Sequence, residues 1–290
     1  MATKKKPLDN SADRDIKINK IDLGDVDSVE ILCCGDTHFG SPNHVKAMSE
    51  FVIDWVSKSR DRYIVFAGDL LDAATKNSVS DSYKGGNPQD AFQAAQTWVA
   101  QVDYGIGDGN HHIIAAVEGN HDDRYARETG LNEAYNIFHA LKIPFGTGND
   151  DYDGYKSISS ISVGRDRHYG KAKRKPVTYT LFLHHGVGGG GTMGAKANML
   201  NKSRNMVTNA DIYVCGHTHQ IMHDWAVNPF INNDKNKLVK QNLCMIMVPG
   251  MISGGYADKK MMAPLPTNFF PVVTLDGHKH DVNYSEIRIS

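Results

Sequence analysis

Val29-Glu30-Ile31-Leu32-Cys33-Cys34-Gly35-Asp36-Thr37-His38 is an apolar run that stops at a glycine and then presents an acid and an imidazole. A short apolar run bounded by a turn signal is predicted to be a strand buried on both faces. The same plan recurs down the chain. Tyr63 to Ala67 is a second predicted strand, ending at Gly68-Asp69, and His112 to Val117 is a third, ending at Gly119-Asn120-His121-Asp122. Val177 to Leu183 leads to His184-His185, and Asp211 to Cys215 leads to Gly216-His217-Thr218-His219. Helical spacing lies between them: His44 to Ser59 through Val45, Met48, Val52 and Val56, a helix opening at Pro88, and another over Asn132 to Leu141 that Pro144 stops. After residue 219 the helical signal fades and Leu243 to Val248, Phe270 to Leu275 and Val282 to Ile289 read as strands. The expected fold class is therefore α/β, with a β-rich end that suits a second sheet. Every motif follows the carboxyl end of a predicted strand, the edge where α/β sheets gather their ligands.

Length and composition bound the reading. With 290 residues and 40% hydrophobic content the chain can bury a large core, and nothing demands a second domain. We expect a loosely held arm over residues 1–27, which are charged and poor in apolar groups, and one domain over 28–290. A net charge of -1 gives no global attraction to nucleic acid or to acidic membranes. Cys33, Cys34, Cys215 and Cys244 lie in apolar segments without a C-x-x-C pair, as buried thiols of a reducing compartment do. Lys4-Lys5-Lys6 is followed by no apolar signal segment, and no stretch is long enough to span a membrane; a cytoplasmic protein is expected.

The strand-end residues share one chemistry. Imidazole suits manganese, iron, nickel and zinc, while carboxylate and amide oxygens suit the harder ions of that series, so a mixed His/Asp/Asn set fits a pair of divalent ions. Two ions about 3.5–4 Å apart need a bridging ligand, and a carboxylate serves best. Asp69 is the candidate bridge, with Asp36, His38 and His219 on one ion and Asn120, His184 and His217 on the other. Two carboxylates and a bridging hydroxide leave such a centre net positive, so it attracts phosphate oxygens and acidifies a bound water.

The order D-x-H, G-D, G-N-H-D, H and G-H-x-H resembles the calcineurin-like metallophosphoesterases, the superfamily of purple acid phosphatases, cyclic-nucleotide phosphodiesterases and Mre11-type nucleases. The resemblance implies a sandwich of two mixed β-sheets flanked by helices. It also implies metal ligation by Asp36, His38, Asp69, Asn120, His184, His217 and His219, and a place for His121 over the phosphate, stabilising the transition state or protonating the leaving oxygen. Protein phosphatases of the superfamily have an arginine soon after the second motif and Glu after Gly-Asn-His; this chain has Leu70-Leu71-Asp72-Ala73 and Asp122. Purple acid phosphatases use a tyrosine ligand, which Asp36-Thr37-His38 does not offer. The expected activity is metal-dependent phosphodiester hydrolysis of nucleic acid or a nucleotide through a bridging hydroxide. Manganese is the first expectation, with nickel, iron, zinc or magnesium as alternatives. A phosphomonoesterase or dinucleoside polyphosphate hydrolase is the rival enzyme, and a metallophosphoesterase-fold scaffold the rival from outside catalysis.

Several residues admit two readings. On an extended segment His184 and His185 face opposite sides, and the family pattern favours His184. Asp122 either orients His121 in a catalytic pair or caps the following helix. Asp72 carries the same ambiguity, and Arg124 either contacts substrate or is an exposed helix arginine. The basic stretch 165–175 is a solvated hairpin tip or a phosphate-backbone contact with Tyr169 for stacking. The glycine-rich segment 186–191 is a flexible loop or an anion-wrapping gate beside the substrate.

Overall fold

The computed structural model describes residues 18–72, 87–105, 107–146, 154–165, 175–188, 192–232, 236–254 and 268–289. In chain order its elements are β1 (Asn19–Asp22), β2 (Ser28–Cys34), α1 (Lys46–Val56), β3 (Arg62–Phe66), α2 (Pro88–Tyr104), β4 (Ile113–Ala116), α3 (Asn120–Thr129), α4 (Glu133–Ala140), β5 (Lys156–Val163) and β6 (Val177–His184). They continue as α5 (Met193–Met206), β7 (Ile212–Cys215), β8 (Met222–Asn232), β9 (Lys237–Met247), β10 (Phe269–Asp276) and β11 (Val282–Arg288).

The strands form two mixed sheets, one ordered β1-β5-β6-β7-β9-β8 and the other β11-β10-β2-β3-β4. β2, β3 and β4 are mutually parallel, as are β6, β7 and β9, and antiparallel strands extend both sets. Period-two alternation explains the layers. In β2, Val29, Ile31 and Cys33 face the gap between the sheets, where they meet Tyr179, Leu181 and Leu183 of β6 and Ile212 and Val214 of β7. Leu32 and Cys34 point the other way, into a cluster with Val52 of α1, Trp98 of α2 and Phe138 of α4. On the outer side of the six-stranded sheet, Phe182, Tyr213 and Met245 pack against Met199 and Leu200 of α5. Helices thus cover both outer faces of a two-sheet sandwich, as the family resemblance implies.

Local signals place the helices. Asn87 caps α2 by accepting the Gln89 N–H, and Pro88 occupies the first turn, where its missing N–H costs nothing. α3 starts at Gly119, whose N–H is taken by the Asp122 carboxylate at 3.0 Å, and ends at Gly130 with φ 75°.

Part of the expected N-terminal arm is built into the fold: Asn19–Asp22 pairs in parallel with β5 at a sheet edge, and residues 1–17 lie outside the described residues. Residues 166–174 of the basic stretch and 189–191 of the glycine run also lie outside them. Among the described residues no helix is long and apolar enough to cross a membrane.

Candidate metal centre

The five motifs sit at the carboxyl ends of β2, β3, β4, β6 and β7. Parallel pairing within each sheet brings these ends to one edge, and loop-to-loop hydrogen bonds tie them together: Asp36 N–H to Gly68 O (2.8 Å), His38 N–H to Asp69 O (3.0 Å) and Val117 N–H to Phe66 O (3.0 Å).

The backbone there is unusual. Seven described non-glycine residues have positive φ, and five of them are Asp36 (50°), His38 (50°), Asp69 (53°), His217 (72°) and His219 (56°). Left-handed backbone at a residue with a side chain costs on the order of 1 kcal/mol or more, and it clusters where function dictates side-chain direction. Here it turns the acid and imidazole groups inward from the strand ends. Glycines provide the clearance: a Cβ on Gly119 would collide with the Asp69 carboxylate, and one on Gly68 would lie 2.6 Å from His185 Nδ1.

Three overlapping groups of donor atoms result among the described residues. Asp36, His38 and His219 form the first, Asp69, His185 and His217 the second, and His38, Asp69 and His121 a third that lies between them, with the ligand atoms of each group within 4.8 Å of one another. In the first, His219 Nε2 is 3.4 Å from Asp36 Oδ1 and 3.2 Å from His38 Nε2. In the second, the Asn120 side-chain oxygen lies 2.8 Å from His217 Nδ1 and 3.1 Å from His185 Nε2. Asp69 Oδ2 links the two, 3.7 Å from His38 Nε2 and 3.3 Å from His185 Nε2. Asp36 and Asp69 are fully buried, and His38 is 2% exposed. Carboxylates and imidazole nitrogens crowded this closely, out of water, are favourable when protons or cations sit between them. A donor set of two carboxylates, one amide oxygen and four imidazoles about two adjacent points fits a pair of divalent transition ions.

The electrostatics agree. Burial opposes the charge on Asp69, yet the surrounding imidazoles, His185 first, hold its carboxyl well below the usual range. For His185 burial also opposes the charge, but the Asp69 carboxylate outweighs it and raises the imidazole to about 10. Burial and then the neighbouring His121 push His38 down to about 3, so it presents a neutral imidazole.

The structure corrects two expectations. His185, not His184, enters the group. Tyr179, Leu181 and Leu183 of β6 face the space between the sheets, and the next residue of that register is His185. His184 continues the opposite face, that of Phe182, with its ring 6.1 Å from Phe182 and its Nδ1 accepting the Gly186 N–H at 2.7 Å. The signal was present as strand alternation carried one residue past the strand end. His185 Nδ1–H donates to Ala67 O at 2.7 Å, so in the neutral ring Nε2 is the nitrogen whose lone pair faces the group.

Asp122 is the second correction. Its carboxylate accepts the N–H groups of Leu70 (3.2 Å), Leu71 (2.9 Å) and Gly119 (3.0 Å), locking two motif loops together without touching His121. The partner of His121 is Asp72, with Oδ1 2.9 Å from Nδ1. His121 also donates its backbone N–H to Asp69 Oδ1 at 2.8 Å, and its ring meets that of His38 edge-on with centroids 4.6 Å apart. Burial alone would depress the His121 imidazole; the charge of Asp69 and then the bond and charge of Asp72 outweigh it, so the value is raised.

No curated protein sequence matches significantly. The chain is similar to solved structures of vacuolar protein sorting 29 from Cryptosporidium parvum (14% identity, TM-score 0.38, 91% of this chain and 100% of the other) and GAP50 from Plasmodium (12%, 0.44, 91% and 86%). It is also similar to the nuclease MPE of Pseudomonas putida (12%, 0.33, 88% and 87%). The family profile described as calcineurin-like phosphoesterase matches residues 29–221, which contain every motif at the sheet edge. A match over that span, on a two-sheet sandwich whose strand ends gather the family's acids and imidazoles, makes this chain a member of the calcineurin-like phosphoesterase family.

Proposed function

We propose that the protein is a dinuclear metal-dependent phosphodiesterase acting on nucleic acid or nucleotides. Asp36, His38 and His219 would hold one divalent ion and Asn120, His185 and His217 the other, with Asp69 available to both. The observation that carries this reading is the left-handed backbone at Asp36, His38, Asp69, His217 and His219, a strain concentrated on the side chains that converge. Manganese is the first candidate ion, with nickel, iron, zinc or magnesium as alternatives. Bound there, such a pair supplies Lewis acidity toward phosphoryl oxygens and a hydroxide nucleophile at neutral pH.

The chain's own residues do the rest. Asp72 engages His121 Nδ1 and leaves Nε2 to the substrate. Asp69 and Asp72 raise that imidazole above its ordinary value, the direction that suits a proton donor to the departing oxygen. Asp122 fixes the loops carrying Asp69 and His121 relative to each other. A diester is favoured over a phosphoprotein because Leu70-Leu71-Asp72-Ala73 lacks the arginine that the protein phosphatases carry after Gly-Asp. The four described cysteines are free and buried, which supports a cytoplasmic location.

Rates on bis-p-nitrophenyl phosphate and p-nitrophenyl phosphate test the reading, with manganese, nickel, zinc and iron supplied in turn. Faster diester hydrolysis is expected. A tenfold preference for the monoester overturns the diesterase assignment, and no turnover with any ion overturns the enzymatic one.

A further inference from the structure

The β8–β9 hairpin outruns the sheet it belongs to. β7 pairs with β9 only over Cys244–Met247. β8 and β9 run on together, from Ala226 opposite Leu243 to Asn232 opposite Lys237. Among the described residues this part is a two-stranded ribbon, projecting past the amino end of β7 and so away from the metal motifs at its carboxyl end. Such a ribbon is marginal in water unless one of its faces is packed.

Cys244 and Ile246 face the space between the sheets. Alternation then puts Trp225, Val227, Pro229 and Ile231 of β8, with Leu238 of β9, on that same face of the ribbon. There Trp225 is 45%, Val227 51%, Ile231 69% and Leu238 62% exposed. The other face is in use, since Met222 and Ala226 pack toward α5. The four large side chains bare on the order of 400 Å² of apolar surface, the size of patch that marks an interaction site. Stable homodimers bury roughly 800 Å² per chain, about 65% of it apolar, so these anchors supply most of what one needs.

A groove of about 1040 Å³ runs beside the stripe, bounded by Asp211, Trp225, Val227, Lys240, His280 and Val282. Its buried acid is already satisfied: the Asp211 carboxylate accepts the Thr180 N–H at 2.7 Å and the Gln241 amide at 2.8 Å, and His280 Nε2 lies 3.3 Å away. Asn228 likewise donates to Thr208 O at 2.6 Å. With those polar groups engaged, the indole and aliphatic surface is what meets an occupant, and it fits protein side chains better than a small polar ligand. The stripe is also self-complementary. About a two-fold axis level with Asn228, a second ribbon sets its Ile231 and Leu238 on Trp225 and its Pro229 on Val227, along roughly 20 Å of strand. Lys240 shares the face, and its long stem carries the ammonium to the rim. Pro229 cannot donate to a neighbouring strand, so the open edge of β8 is a poorer contact than the face.

We propose that the protein is a homodimer in which the β8–β9 ribbons of two copies pack face to face about that axis, leaving both metal edges open. Sedimentation equilibrium of the full-length, manganese-loaded protein from about 1 to 100 µM tests this. Wild type should reach twice the 32.0 kDa chain mass. Val227→Glu and Val227→Lys each place like charges close to the axis and should raise the dimer dissociation constant at least about 100-fold. Metal content should stay at the wild-type level in both, because position 227 is remote from the motifs. Leu238→Glu repeats the comparison at a second exposed site. Mixing the two Val227 variants pairs opposite charges and should restore most of the dimer, which a folding defect would not allow. Wild type that stays monomeric at about 100 µM overturns the proposal, whether the face is bare or holds a small molecule or another protein. A dimer that all three variants keep overturns it as well, and a mixture that stays monomeric overturns the two-fold placement.

Discussion

Replacing Asp72 by Asn separates positioning from ligation at the centre. Asp72 Oδ1 lies 2.9 Å from His121 Nδ1, and the carboxylate is largely buried, with its side chain 9% exposed. Asn keeps the volume and one acceptor but loses the charge, so His121 loses part of what raises its imidazole. Burial, which works the other way, then weighs more heavily. Removing a buried orienting carboxylate from a functional imidazole typically costs 10- to 100-fold, or about 1.4–2.7 kcal/mol of transition-state stabilisation. Asp72→Asn should therefore lower kcat by about that factor with KM and bound metal within twofold of wild type. Because a raised imidazole value is being brought down, the alkaline limb of the kcat profile should move to lower pH. The assay is steady-state hydrolysis of bis-p-nitrophenyl phosphate from pH 5 to 10, with metal content measured on the same samples. A kcat within twofold of wild type, or a loss matched by loss of metal, refutes the positioning role.

Three further outcomes follow from the geometry. His185→Ala should lose metal from the second group while His184→Ala retains full loading, measured by elemental analysis; the reverse pattern would return the ligand role to His184. Asp122→Ala strands three buried N–H groups, so urea unfolding should show a loss of about 3 kcal/mol or more, and a loss under 1 kcal/mol contradicts the locking role. In metal-free protein His185 is raised from 6.5 to about 10. Its pairing with Asp69 thus stabilises the fold fully below pH 6.5 and is lost as pH rises through about 10. An ion must displace that proton, so calorimetric metal affinity should rise about tenfold per pH unit between those limits, with proton release; a flat profile contradicts it.

Much of this architecture is legible in the chain because burial leaves long apolar runs. β2, β3, β4, β6 and β7 read as strands from such runs, and their glycine-bounded ends announce the motifs. β5 is harder despite its strict alternation, since Lys156-Ser157-Ile158-Ser159-Ser160 is polar enough to pass for loop; Ser157 and Ser159 are nonetheless fully buried. β1 and β8 are missed because edge strands carry polar, exposed residues without a buried-run signature. At the site, residue types and spacing identify the acids and histidines, but not which neighbour faces inward. His185 is decided by the register of β6. Asp72 pairs with His121 only because the β3 and β4 loops are brought side by side, a contact spanning 49 residues.

The claim on which the rest depends is a centre that holds two ions through one shared carboxylate. Elemental analysis of wild type and Asp69→Ala after manganese loading and dialysis measures it directly. The account predicts about two ions per wild-type chain and fewer than one in the variant, because both groups lose their common ligand. Fewer than one ion in wild type, or full loading of a folded Asp69→Ala protein, contradicts it.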